Sequence, residues 1–186
     1  MTALPVLSLG INNVEYNYRS TPNWFSAPIY VDFQSSNLPI VVIETVNNQS
    51  IPIEPKINAK MIIVDRGMGQ RNKISDVANH DHIDFNGAIK IEIRGSSSSL
   101  LTKKQYALTT YDSMGQKDNV KILGMPKDND WILNGIAYDS SLIRDYLSYQ
   151  LSNQIGQYAS RGKYCEVILN GIYNWIYLFQ EKLKIY

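Results

Sequence analysis

At 186 residues, 44% hydrophobic and 19% charged, the chain is long enough for one buried core and too apolar for a disordered one. A formal net charge of +1 leaves no basic field of the kind that draws in nucleic acid, and no run approaches the roughly 18 apolar residues of a membrane-crossing helix. Cys165 is alone, which excludes an internal disulfide and a zinc site built from cysteines.

The opening MTALPVLSLG has no basic stretch followed by a long apolar one, so the chain as written is expected to lack a secretory signal. Residues 1–36 hold short apolar pieces, LPVLSLG and APIYVDF, among turn formers, and read as an arm or edge strands beside a main domain at 37–186. SNLPIVVIETV is a β-branched run closed by the turn signal NNQSIP, the pattern of a buried strand. AKMIIVDRG repeats that pattern, and Ile89, Ile91 and Ile93 alternate with polar residues in GAIKIEIRG. Between these two lies GMGQRNKISDVANHDHIDFNG, polar and aperiodic, whose length predicts a functional or mobile loop. KKQYALTTYD and NVKILGM are strand candidates on either side of a turn at Ser113 to Gln116.

After Asp139 or Ser140, either of which can cap free backbone amides, Ile143, Leu147, Leu151 and Ile155 recur every four residues. That spacing predicts a helix ending at Gly156 with its stripe buried on a sheet. In YCEVILNGIYNWIYLFQEKL, Asn170-Gly171 tolerates the positive φ angles of a tight turn and predicts a hairpin. Together these elements predict an α+β fold, mainly an antiparallel sheet with one principal helix packed on it.

EIRGSSSSLLTKKQYAL carries the first chemical candidate. A strand ending at Arg94 runs into Gly95 and four serines, then into a strand opened by Lys103 and Lys104, so a glycine turn with Ser96 and Ser97 hangs over a lysine-bearing strand. Backbone amides and a strand lysine arranged in that way suit phosphates, although the spacing is not that of a Walker loop. A solvated serine hairpin with two surface lysines is the structural alternative. His80 and His82 in HDHID combine imidazole with carboxylate, but a calcium-loop alignment puts Ile93 where a bidentate Glu is needed, so no metal site is assigned. Asp128 and Asp130 in MPKDNDW are expected to bond local turn amides. Arg144 lies in the first turn of the predicted helix, where a cation is unfavourable, and so is expected to pair with Asp128, Asp130 or Asp145.

Through RGSSS, KKQY, LGMPKDNDWIL, DSSLIRDYLSYQL, YASRGKYCEVILNG and YLFQEKLK, the chain from about Leu38 to Lys184 resembles the CotH kinase family. The resemblance implies an atypical, kinase-like protein that binds ATP and magnesium, phosphorylates serine on a protein partner, and is secreted or laid down in spore coats. It also implies an α+β domain like the amino-terminal portion of such a kinase. Nucleotide-binding candidates carried over are Arg94, Gly95, Ser96, Ser97, Lys103, Lys104 and Glu181; Arg144 and Asp130 are structural residues or ligands. Two departures stand out. The family turn N-G-x-Y-x-G-x-Y reads NGIYNWIY here, placing Trp175 at a glycine position. The family's metal-binding aspartates follow its E-K-I segment at a distance, so a catalytically incomplete chain is expected, or else a non-enzymatic surface or spore-coat module that binds protein or glycan.

Overall fold

Alternation along each strand sets the architecture, because Val41 and Ile43, Ala59, Met61 and Ile63, Ile89 and Ile91, Leu108, Trp131 and Leu133, Cys165 and Val167, and Tyr177 and Phe179 all meet in one cluster. The computed structural model describes residues 33–183. The strands that contribute are β2 (Ile40–Thr45), β3 (Ile57–Val64), β5 (Ile83–Arg94), β6 (Gln105–Tyr111), β7 (Asp130–Asn134), β8 (Gly162–Leu169) and β9 (Ile172–Glu181). They close into a barrel in the order β2-β3-β5-β6-β7-β9-β8. Every neighbouring pair is antiparallel except β2 with β8, which is parallel and seals the ring through Ile40↔Glu166 to Ile43↔Leu169. A closed sheet has no unpaired edge, so the long apolar strands offer no template for strand addition.

The closed barrel corrects the expected α+β fold of an antiparallel sheet backed by a helix. Its interior is filled from within, Trp131, Tyr177 and Phe179 being at most 1% exposed, so the sheet's apolar face needs no helix to cover it. Two local expectations change for related reasons. NVKILGM is not a strand: Ile122, Leu123 and Met125 fold inward and join the barrel core, tied by the Leu123 amide to the Asp84 carboxylate at 2.7 Å. Asp130 and Trp131, read as the end of the MPKDNDW turn, instead open β7 between β6 and β9.

A second, outer cluster joins Phe33, Ile40, Val42, Ile62, Val64, Val77, Ile168 and Tyr173. Val77 comes from α1 (Ile74–Asn79), which follows the short strand β4 (Asn72–Lys73) inside the segment expected to be an irregular loop. Asp76 orders that segment by accepting Arg66 Nε and Nη2, both at 2.8 Å, and the Lys73 amide at 3.0 Å. The expected arm at 1–36 lies largely outside the described residues, but its end is stitched down: β1 (Ser35–Ser36) pairs with β4, and Ser36 Oγ donates to Glu166 at 2.7 Å.

The predicted hairpin at Asn170-Gly171 forms, with φ of 49° and 76° at its two turn residues. The predicted helix forms too, as α2 (Arg144–Gln154), entered through Asp139, whose carboxylate accepts the Ser141 and Arg144 amides at 3.0 and 2.9 Å. Its orientation overturns the expectation. No residue of α2 is buried, and Ile143, Leu147, Leu151 and Ile155 are 53, 52, 52 and 76% exposed.

Candidate functional site

One end of the barrel gathers the end of β5, the start of β6, the end of β7 and the β8–β9 turn. Here Gly95 turns the chain at φ 103°, and a Cβ on it would fall 2.0 Å from Ser98 Oγ, so only glycine fits. A 3-10 turn, Ser97–Leu100, follows, closed by Ser99 Oγ donating to the Ser96 carbonyl at 2.6 Å. Gly95, Ser96 and Ser97 are exposed at the tip and Arg94 is half-buried behind them. The structure places Arg94, Gly95, Ser96, Ser97, Lys103 and Lys104 at one end of the barrel.

Both lysines are engaged there. Lys104 Nζ donates to the Ser99 carbonyl at 2.8 Å and pins the serine turn from its carbonyl side. Lys103 Nζ donates to the Ile176 carbonyl at 2.6 Å and sits 4.8 Å from the centre of the Tyr177 ring. Burial lowers the Lys103 pKa to about 8, against an opposing pull from Cys165 and Glu166. A cleft of about 440 Å³ opens beside these groups, lined by the amides Asn48, Gln49, Asn170 and Asn174 and by the apolar Ile93, Tyr106 and Ile172. Its lining carries no charged side chain.

Glu181 and Asp130 lie toward the other end. Tyr106 pairs with Leu133 and Leu133 with Phe179, so Lys104 stands level with Tyr177, four residues and roughly 13 Å of strand short of Glu181. Glu181, 5% exposed, accepts the Arg161 amide at 3.0 Å and pairs with the Arg161 guanidinium at 3.4 Å. Asp130 accepts Thr109 Oγ1 at 2.8 Å, and Thr109 in turn accepts Lys56 Nζ at 2.6 Å. Arg144 reaches Asp139 at 3.7 Å instead of the three aspartates expected, and its side chain is 79% exposed. Asp128 fulfils the turn role, accepting the Asn129 and Asp130 amides at 2.6 and 3.0 Å.

ATP with magnesium needs donors for phosphate and carboxylates for the metal at one place. Glu181 and Asp130, the two acidic residues carried over with the nucleotide candidates, are bonded to Arg161 and Thr109 away from the serine turn, so this set does not fit the metal. Sequence reasoning missed the Arg161–Glu181 and Lys56–Thr109–Asp130 contacts. The first was within reach: counting outward from Asn170-Gly171, with one residue allowed for a bulge, sets Arg161 opposite Glu181. The bulge is where Asn174 and Trp175 face Val167, and Trp175 adopts φ 69°. That is glycine's conformation, which explains a glycine at this position in the pattern the sequence resembles. The tryptophan instead spreads on Tyr173, ring centres 5.5 Å apart, within the outer cluster.

No curated protein matches the chain. The family model described as CotH kinase protein matches residues 91–186, more than half of the sequence and all of the serine turn, the lysines, β7, α2 and the closing hairpin, and the chain belongs to that family.

Proposed function

We propose that this CotH-family chain is a binding module, catalytically incomplete for phosphoryl transfer, that uses the serine-turn end of its barrel to engage a protein or glycan partner. The observation carrying this reading is the separation of charge: Lys103 and Lys104 are bonded to backbone carbonyls at one end, while Glu181 and Asp130 are bonded to Arg161 and Thr109 toward the other. Phosphoryl transfer draws its acceleration from cations and metal-holding carboxylates converging on one phosphate, and these four do not converge. The uncharged amide cleft beside the turn supports a neutral, hydrogen-bonding partner such as a glycan or an extended peptide. The family implies a spore-coat or cell-surface setting, which belongs to the same proposal.

Incubation with labelled ATP, magnesium and serine-bearing acceptor proteins is expected to transfer no label, and nucleotide titration calorimetry to show no magnesium-dependent heat. Label transfer at turnover overturns the reading. A second reading, in which the turn grips phosphate, is favoured by the strict glycine at φ 103° and the exposed Ser96 and Ser97. Tight nucleotide binding lost in Arg94→Ala, with the fold intact, would establish it.

A further inference from the structure

α2 is mounted with its polar side toward the barrel. Tyr146 meets Tyr164 of β8 with ring centres 5.1 Å apart, Asp145 accepts Asn134 Nδ2 at 3.1 Å, and Asn153 bonds the Tyr149 and Ala159 backbone at 3.0 and 3.2 Å. The opposite side is the stripe Ile143, Leu147, Leu151 and Ile155, each more than half exposed, with Tyr138 and Tyr158 at 67 and 65% beside it. Scattered apolar residues on a surface are ordinary, but Leu147 and Leu151 of α2, with Ile143 and Ile155 at its two caps, recur every four residues on one side, a spacing of the kind that marks an interface.

We propose that this stripe docks against the same stripe of a second copy of the chain, α2 lying antiparallel on α2. Charge selects this occupant. In a two-fold contact every residue near the axis meets its own copy, so a charge there repels itself. From Tyr146 to Ser160 the sequence, YLSYQLSNQIGQYAS, carries no charged residue. Antiparallel placement also brings the exposed Arg144 of each helix toward the carbonyl-rich, negative C-terminal end of the other. The seam is short, since 11 residues of helix span about 16 Å, while a stable interface buries about 800 Å² per partner. Tyr138 and Tyr158 widen it, and the association is therefore weak and concentration-dependent. The inference stands apart from the reading of the barrel-end cleft, which it neither needs nor tests.

The test is sedimentation equilibrium of the full chain over a concentration series reaching hundreds of micromolar, for the wild type and the double variant Leu147→Gln, Leu151→Gln. The expected result is a monomer–dimer equilibrium weakened by at least about a hundredfold in the variant, since two apolar side chains per copy leave the seam. Because these side chains are exposed in the monomer, the variant keeps its circular dichroism spectrum and its Tm at low concentration. A wild type that stays monomeric overturns the proposal. So does a monomer that fails to bind a hydrophobic dye, which would show the stripe covered by the chain's own residues. A dimer unaffected by the double substitution places the contact elsewhere and overturns it equally.

Discussion

The two α-helices among the described residues, both on the outside of the barrel, reverse what their sequences suggest. α1 has six residues in a segment that reads as an irregular loop, yet it is fastened down: Asp76 holds Arg66 in a two-pronged ion pair, and Ile74 and Val77, three apart, pack on the outer cluster. α2 is almost twice as long, with Leu147 and Leu151 inside it and Ile143 and Ile155 at its caps, four aliphatic residues at helical spacing, yet none of them is buried. The difference lies in the strands beneath. β2 and β3 offer Ile40, Val42, Ile62 and Val64 on their outer faces, an apolar seat for Val77. The surface under α2 offers the Asn134 amide and the Tyr164 hydroxyl and ring, so the helix turns Asp145 and Tyr146 inward. Spacing predicts that a helix forms; the partner surface decides which side it hides.

The largest expected effect comes from breaking α1's fastening. Asp76→Asn removes the charge and turns one of two accepting oxygens into a donor, so the Arg66 guanidinium and the Lys73 amide can no longer both be satisfied, and it is expected to lower stability by about 2–3 kcal/mol, read by urea denaturation. A loss under about 0.5 kcal/mol would show that the apolar seat, not the ion pair, holds the helix.

The same contact gives a pH signature of smaller reach. The Arg66 hydrogen bonds hold the Asp76 carboxyl at about 2 against an ordinary 3.8. A depressed carboxyl stabilises the fold above its unfolded value and loses that contribution as pH falls toward its folded value, because the unfolded chain takes up the proton first. Stability is thus expected to drop between about pH 4 and pH 2, with the slope flattened in Asp76→Asn. Asp139 at the entry to α2 is also held low, chiefly by the Ser141 hydroxyl, and contributes in the same direction to the acid slope that remains in the variant.

How much of this was legible follows the same division between local and distant causes. β2, β3, β5, β6 and the Asn170-Gly171 hairpin are visible in β-branched runs, alternation and turn chemistry, all properties of neighbours in sequence. Barrel closure was not, because it rests on β2 meeting β8 across about 125 residues, and nothing in either strand specifies a parallel partner. α1 was hidden because its anchor is a pair of charges ten residues apart in a segment without periodicity. The site divides likewise. The serine turn and its lysines are contiguous and were read together, whereas Glu181 needed the hairpin register to be sent to Arg161. The family resemblance, carried by short motifs, held; the fold implied with it did not, because motifs fix local geometry and leave ring closure open.

For α2 the expected effects are smaller, and the contrast between them is the sharper test. Tyr164→Phe removes the hydroxyl that donates to the Leu142 carbonyl at the entry to the helix, and is expected to cost about 1 kcal/mol because one hydrogen bond is lost and the ring stays on Tyr146. Leu151→Gln, at concentrations where the chain is monomeric, is expected to change stability by no more than about 0.5 kcal/mol. A buried leucine replaced by an amide would cost several times as much, since apolar area would be lost and a polar group stranded. The order of the two variants therefore states which side of the helix is structural. A hydroxyl removed from the tyrosine beneath outweighs an aliphatic side chain replaced on the outside only if the polar side is the one that holds. If Leu151→Gln is the costlier change at every concentration, the stripe is covered within the monomer and the seating of α2 is other than the one described.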